Sequence, residues 1–198
     1  MTPCAKEVIM NSSEENSNHS VANSPQFRRF AIAAEIFINC FSDRTMDSKS
    51  WSRLVLMKLS ELYSIAQGLP KIEFEEALVD KSFDVSHEEW KAIFRYVSEK
   101  LGNQSSYWTV LDPYREPGPS AETDIGSLED DLAGVYIGIK PGLSAWNLDP
   151  QMYASQVHEC WNETLSFRHW GKHAVNAMRP LHEIVYPLSG GIHGVSDA

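Results

Sequence analysis

Two histidines four residues apart form the most chemically suggestive pattern in the sequence, in the segment His169-Trp170-Gly171-Lys172-His173. Side chains at positions i and i+4 of a helix project from the same face, so these two imidazoles could share a divalent metal ion. A zinc protease of the HExxH class needs glutamate directly after the first histidine, and Trp170 occupies that position. The alternatives are another kind of metal site or histidines that hydrogen-bond to neighbouring carboxylates.

Two adjacent carboxylates, Asp130 and Asp131, are the natural source of a third ligand. Both fall in the predicted first turn of a helix, where acids interact favourably with the helix dipole. Asp131 also borders an apolar stripe, and a carboxylate there needs a partner. The C-terminal helix offers five, which are Arg168, His169, Lys172, His173 and Arg179. We therefore predict a buried Asp–His or Asp–Arg link between the two helices, and the candidate metal ligands are Asp131, His169 and His173.

Other catalytic patterns are weak. Cys40 and Cys160 lie among apolar residues and are predicted to be core residues, because no activating base stands near them. The sequence contains no nucleophile elbow, no P-loop and no dinucleotide-binding glycine motif. Tyr107 and Trp108 stand at the entrance to a Pro-rich stretch, where aromatic side chains could line a pocket.

The elements that must position these residues are predicted to be helices. Apolar residues recur at three- and four-residue steps in five segments. The predicted helices start at Ser24-Pro25, near Asp47 or Ser48, at Ser86, after Ser127 and at Asp149-Pro150. We expect a kink or break at Pro141 in the fourth helix, and interruptions at Gly171 and Pro180 in the fifth.

The remaining segments set the domain organisation. No stretch alternates convincingly enough to predict a strand, and the Pro-rich segment 103–126 is predicted to be a long loop. Residues 1–24 are predicted to be a disordered polar leader and residues 189–198 a flexible tail. The expected fold is all-α, a single-domain antiparallel bundle of about five helices over residues 25–188.

Composition restricts the function classes. The chain of 198 residues has 17 Lys and Arg against 27 Asp and Glu, a net charge of −10. This acidic balance argues against nucleic acid and against a membrane surface as partners. Three scattered cysteines and no secretory signal favour a reducing cytoplasm. The acids concentrate between Asp112 and Asp131, whereas residues 164–182 contain none, and we predict that these segments meet.

Several motifs together resemble a bacterial family, the domain of unknown function 5063. They are Leu69-Pro70, Tyr107-Trp108, Asp112-Pro113, Leu128, Asp130-Asp131-Leu132-Ala133, Tyr136, Phe167, His169-Trp170-Gly171 and His173-Ala174. The resemblance covers about residues 27–183 and implies a small helical bacterial protein without an established activity. The family's fourth-helix block continues through polar residues, whereas Gly138 and Pro141 interrupt it here.

Two functional hypotheses follow. The first is a non-catalytic, regulatory bundle that binds a ligand or another protein, the latter with a basic surface facing the acidic segment. Its candidate ligand-binding residues are Tyr107, Trp108, Asp112, Asp130, Asp131, Tyr136, Arg168 and Trp170. The alternative is a metal-binding protein or a metal-dependent hydrolase with a divalent cation held by the Asp/His cluster.

Overall fold

The computed structural model describes residue 17 and residues 20–74, 80–110, 123–162 and 164–187. Over these ranges the protein is helical apart from one β-hairpin, so the all-α prediction is confirmed. The named helices are α1 (Pro25–Asn39), α2 (Ser48–Ala66), α3 (His87–Leu101), α4 (Leu128–Leu148), α5 (Ala154–Trp161) and α6 (Thr164–Val185). Short 3-10 helices cover Lys81–Phe83 and Gly102–Gln104, and the hairpin strands are β1 (Ser106–Val110) and β2 (Thr123–Ser127).

Side-chain caps fix four of the helix starts where the sequence predicts them. Each capping oxygen accepts a hydrogen bond from the backbone N–H three residues later, which satisfies one of the unpaired donors of the first turn. The capping residues are Ser24 for α1, Asp47 for α2, Ser86 for α3 and Ser127 for α4.

Helix α4 is the central element, and α1, α3, α5 and α6 all pack against it. Three glycines of α4, Gly134, Gly138 and Gly142, stand one helical turn apart. A Cβ atom at these positions would come within 2.7 Å of the His173 ring, 2.6 Å of Trp170 Cβ and 2.4 Å of Trp161 Nε1, respectively. Aromatic side chains of α5 and α6 therefore lie directly against the α4 backbone.

The breaks predicted at Pro141, Gly171 and Pro180 are wrong. Helix α4 runs through Pro141 without a break, and α6 runs through Gly171 and Pro180. The break in the C-terminal pattern lies instead between α5 and α6, after Trp161. Near Pro141, the carbonyl of Ile139 accepts a hydrogen bond from the Trp161 indole N–H at 3.0 Å. Tertiary packing of this kind offsets the local cost of proline, about 3 kcal/mol in a helix interior.

The hairpin corrects the prediction that residues 103–126 form a loop throughout. Strands β1 and β2 pair antiparallel, with Tyr107 opposite Gly126 and Trp108 opposite Ile125. The backbone N–H of Leu128 donates to the carbonyl of Ser105 at 2.8 Å, which ties the hairpin to the start of α4. Residues 111–122, which join the strands and include Asp112, lie outside the described residues.

The predicted domain boundaries are largely beyond the described ranges. Residues 20–23 are helical, and Val21, which the sequence places in the leader, is fully buried. The disordered leader over 1–24 and the flexible tail over 189–198 remain predictions. None of the helices in the described ranges combines the length and the hydropathy that a membrane span requires.

Candidate functional site

Asp131 is the centre of a buried hydrogen-bond network that joins three elements. It stands in the first turn of α4, and only 4% of its surface is exposed. Its Oδ2 accepts a hydrogen bond from the hydroxyl of Tyr107 on β1. Its Oδ1 lies 2.8 Å from Nδ1 of His173 on α6. The predicted link between Asp131 and the C-terminal helix thus exists, and His173 is the partner among the five that the sequence offers.

The hydrogen bonds of the network indicate which of its members donate. A carboxylate only accepts hydrogen bonds, so His173 carries a proton on Nδ1 in this arrangement. Burial, followed by the hydrogen bond to Asp131, raises the pKa of Tyr107 well above its ordinary value. The phenol therefore stays a donor, and both Asp131 oxygens are occupied.

The second ring nitrogen of His173 is available for chemistry. Among the described residues, the fully enclosed side-chain N and O atoms without a partner are Ser52 Oγ and Trp170 Nε1. Nε2 of His173 makes no hydrogen bond among the described residues, and the side chain as a whole is 20% exposed. An imidazole whose Nδ1–H is held by a carboxylate presents Nε2 as a base or as a metal ligand.

His169 is exposed and lies beside the partly buried His173 on α6. The two ring centroids are 4.9 Å apart and the ring planes are nearly perpendicular, at 89°. Within the part of the chain that the structure describes, no three His, Cys, Asp or Glu side chains are grouped so that they could hold a metal ion. Asp131, His169 and His173 are neighbours, but Asp131 acts on His173 rather than completing a three-residue ligand set.

The other predicted site residues are divided between different environments. Tyr136 is buried and donates to Glu89 Oε1 at 2.7 Å, and burial and this bond raise its pKa. Trp170 is fully buried against Phe30 and Phe167. Trp108 is 71% exposed, and Asp130 and Arg168 are also exposed. Among the described residues, the hydrogen bonds of Asp131 go to Tyr107 and His173 and to none of these three. Asp112 lies outside the described residues.

A surface groove between α1 and α2 is a second candidate site, which the sequence reasoning missed. Its volume is about 410 Å³, and Ile32, Ile36 and Ile65 contribute apolar lining. Ile32 is 56% and Ile36 is 39% exposed, which is high for large aliphatic side chains. Arg28 and Arg29 lie at one end of this lining, with Glu61 on the α2 side.

A sequence signal for the groove does exist. The buried stripe of α1 runs through Phe27, Phe30, Ala34 and Phe37. Ile32 and Ile36 fall outside that stripe but are spaced by four residues, so they form a second apolar line on the helix. The protein core covers the first apolar line of α1 and leaves the second one, with Ile32 and Ile36, exposed.

Comparisons with known proteins agree with this fold. The family model described as domain of unknown function DUF5063 matches residues 21–187. No curated protein matches the chain. The crystal structure of protein BF1032 from Bacteroides fragilis is similar, with a TM-score of 0.71 at 21% identity over 87% of this chain and 99% of that one. At this identity the likeness concerns the fold alone. The DUF5063 family model matches most of the length of this chain, which shows that the chain belongs to the DUF5063 family.

Proposed function

We propose that this protein is a non-catalytic binding protein whose α1–α2 groove holds an acidic amphipathic helix of a partner protein. The observation that carries the proposal is the combination, in one groove, of exposed isoleucines and two exposed arginines that form no ion pair with any described residue. The acid-rich segment between Asp112 and Asp131 contributes no residue to the lining of this groove. The proposed partner is therefore acidic at this surface, in contrast to the basic partner that the sequence predicts for the acidic segment around residues 112–131.

The isoleucines supply the apolar part of the binding energy. Ile32 and Ile36 are one turn apart on α1, and Ile65 of α2 faces the same groove. Covering the exposed surface of each α1 isoleucine contributes about 1 kcal/mol, roughly half the value for complete burial. A partner helix that places apolar side chains at positions i, i+4 and i+7 matches this spacing, as in other helix-in-groove complexes.

The arginines select the charge of the partner. In the described part of the chain, neither Arg28 nor Arg29 forms an ion pair. Arg28 stands one turn before Ile32, so a carboxylate next to the first apolar anchor of the partner would reach it. Residues Arg28 to Ile36 extend about 12 Å along α1, which corresponds to about two turns of a bound helix.

The experiment uses synthetic helical peptides of about 14 residues and fluorescence anisotropy. One peptide has leucines on one face and glutamates on the other, and its matched control has lysine in place of every glutamate. We expect the full-length protein to bind the glutamate peptide more tightly than the lysine peptide, with a difference that shrinks at high salt.

Variants identify the groove as the binding site. The double variant Arg28→Glu/Arg29→Glu should reverse the preference between the two peptides, and Ile32→Ser should weaken both. Arg95→Glu, at an exposed arginine of α3, is the matched control and should leave the preference unchanged. Equal binding of both peptides by the wild type, or unchanged binding after the charge reversal, would overturn the proposal.

Self-association is the competing occupant and is tested separately. If sedimentation shows a dimer of the wild type that Ile32→Glu dissociates, the groove is covered by a second copy of the chain rather than by an acidic partner.

A further inference from the structure

We propose that His169 and His173 form a two-histidine site for a borderline transition-metal ion such as Zn²⁺, with Asp131 as the outer carboxylate that orients His173. The site is on α6 and does not depend on the α1–α2 groove. It differs from the three-ligand arrangement expected from the sequence, because Asp131 supports a ligand instead of being one.

The first argument is the orientation of His173. Histidines that bind metals almost always donate their other ring N–H to a carboxylate, a carbonyl or water. His173 has this arrangement, with Nδ1 2.8 Å from Asp131 Oδ1. Tyr107 donates to the second oxygen of the same carboxylate, so the carboxylate is held from both sides. The lone pair of Nε2 is thus fixed in direction before any ligand arrives.

The second argument is the position of His169 relative to that lone pair. Helices α4 and α6 are antiparallel, since Gly134 faces His173 and Gly138 faces Trp170. Asp131 therefore lies on the side of His173 that is farther from His169. The His169 ring lies next to the His173 ring, with the two ring centroids 4.9 Å apart, so one metal ion between them is within reach of a nitrogen from each imidazole.

The third argument concerns access and the choice of metal. His169 is exposed, and the side chain of His173 is 20% exposed, so water can complete the coordination shell. Arg168 and Lys172 are exposed on the same helix and oppose simple electrostatic attraction of a cation. Binding must then rest on the imidazole–metal bonds, which favours Zn²⁺, Ni²⁺ or Cu²⁺ over Mg²⁺ or Ca²⁺.

The test is a calorimetric titration of the full chain, without an affinity tag, with Zn²⁺ alone and with Mg²⁺ alone. We expect one Zn²⁺ per chain and no heat of binding from Mg²⁺. His169→Gln should weaken Zn²⁺ binding at least tenfold, and Asp131→Asn should weaken it by about 10–100-fold, as for other outer-sphere partners. His182→Gln changes another exposed histidine of α6 and should leave the affinity unchanged.

A second measurement keeps the test independent of folding defects. His169 is exposed, so His169→Gln should unfold at the same urea concentration as the wild type. In NMR spectra, Zn²⁺ should shift the imidazole signals of His169 and His173 and leave those of His182 in place. Equal Zn²⁺ affinity of the wild type and His169→Gln, shifts confined to other residues, or no binding at all would overturn the proposal.

Discussion

The ring of His173 lies so close to the backbone of Gly134 that a Cβ atom at position 134 would be 2.7 Å from Cδ2 of the ring. The ring cannot move aside freely, because Asp131 holds its Nδ1 at 2.8 Å. One glycine of α4 therefore makes room for the side chain that its neighbour Asp131 orients.

Gly134→Ala tests this contact. Alanine is favoured over glycine in a helix interior by about 1 kcal/mol, whereas overpacking a closely fitted contact costs about 1–3 kcal/mol. We expect the clash to prevail, so that urea denaturation shows a lower free energy of unfolding. Gly68→Ala is the control, because the nearest atom to a Cβ there is the Ile65 carbonyl oxygen at 3.6 Å.

A double-mutant cycle assigns the effect to the ring. In a His173→Ala background the space beside position 134 is open, so Gly134→Ala should become neutral or stabilising. A loss of stability that is the same in both backgrounds would mean that another neighbour causes it.

Tyr107→Phe removes one of the two donors of Asp131. The buried Oδ2 is then left without its partner, which costs about 1–3 kcal/mol of unfolding free energy. Tyr186→Phe makes the same chemical change at a tyrosine that is 52% exposed, and it should change the stability by less than about 0.5 kcal/mol. Equal stabilities of the two variants in urea would contradict the role given to the Tyr107 hydroxyl.

Two buried phenols, Tyr96 and Tyr136, and the partly buried phenol of Tyr107 should make the protein sensitive to alkali. Burial is the largest cause that raises the pKa of Tyr96, Tyr107 and Tyr136 above the ordinary value. The folded state keeps these protons at a pH where the unfolded chain, with a tyrosine pKa of about 10, has released them. Their contribution to stability is complete below pH of about 10 and is lost as the pH rises through the folded-state values.

The measurement is the free energy of unfolding between neutral and strongly alkaline pH. It should fall above the tyrosine pKa of the unfolded chain, and Tyr107→Phe should reduce the slope of that fall. A slope that is identical in Tyr107→Phe and in the wild type would show that this phenol does not contribute.

The thiols of Cys40 and Cys160 should be unreactive in the folded protein. Burial raises the pKa of Cys40 to about 11, and burial also raises the pKa of Cys160. Since the thiolate is the reactive form, a thiol reagent at neutral pH should label a Cys4→Ser variant only after unfolding in urea. Rapid labelling of the folded variant would contradict the assignment of both cysteines to the core.

Local signals made four of the helix starts predictable from the sequence, whereas the last predicted start, at Asp149-Pro150, is wrong because the helices there begin at Ala154 and Thr164. Ser86 and Ser127 each cap a backbone N–H three residues later, and this interaction needs no information from the rest of the fold. The continuity of α4 through Pro141 was not predictable in this way. This continuity accompanies tertiary contacts such as the hydrogen bond from the Trp161 indole N–H to the Ile139 carbonyl. These two residues are 22 positions apart in the sequence.

Like the continuity of α4, the hairpin and the choice of His173 as the partner of Asp131 depend on tertiary structure. Trp108 and Ile125 are opposite each other and exposed, so β1 and β2 lack the alternation of a half-buried strand. The sequence offers five partners for Asp131 on the last helix, and only the packing of α4 against α6 selects His173. The acid-rich and acid-free segments meet at this bond, as their charges predict.

The three glycines of α4 also determine which motions the bundle allows. Gly134, Gly138 and Gly142 each receive a different aromatic side chain, from His173, Trp170 and Trp161. If α6 slid along α4 by one residue, His173 and Trp170 would meet side chains with no room for them. Helices α4 and α6 therefore have a single register, and sliding of one along the other is excluded by these contacts.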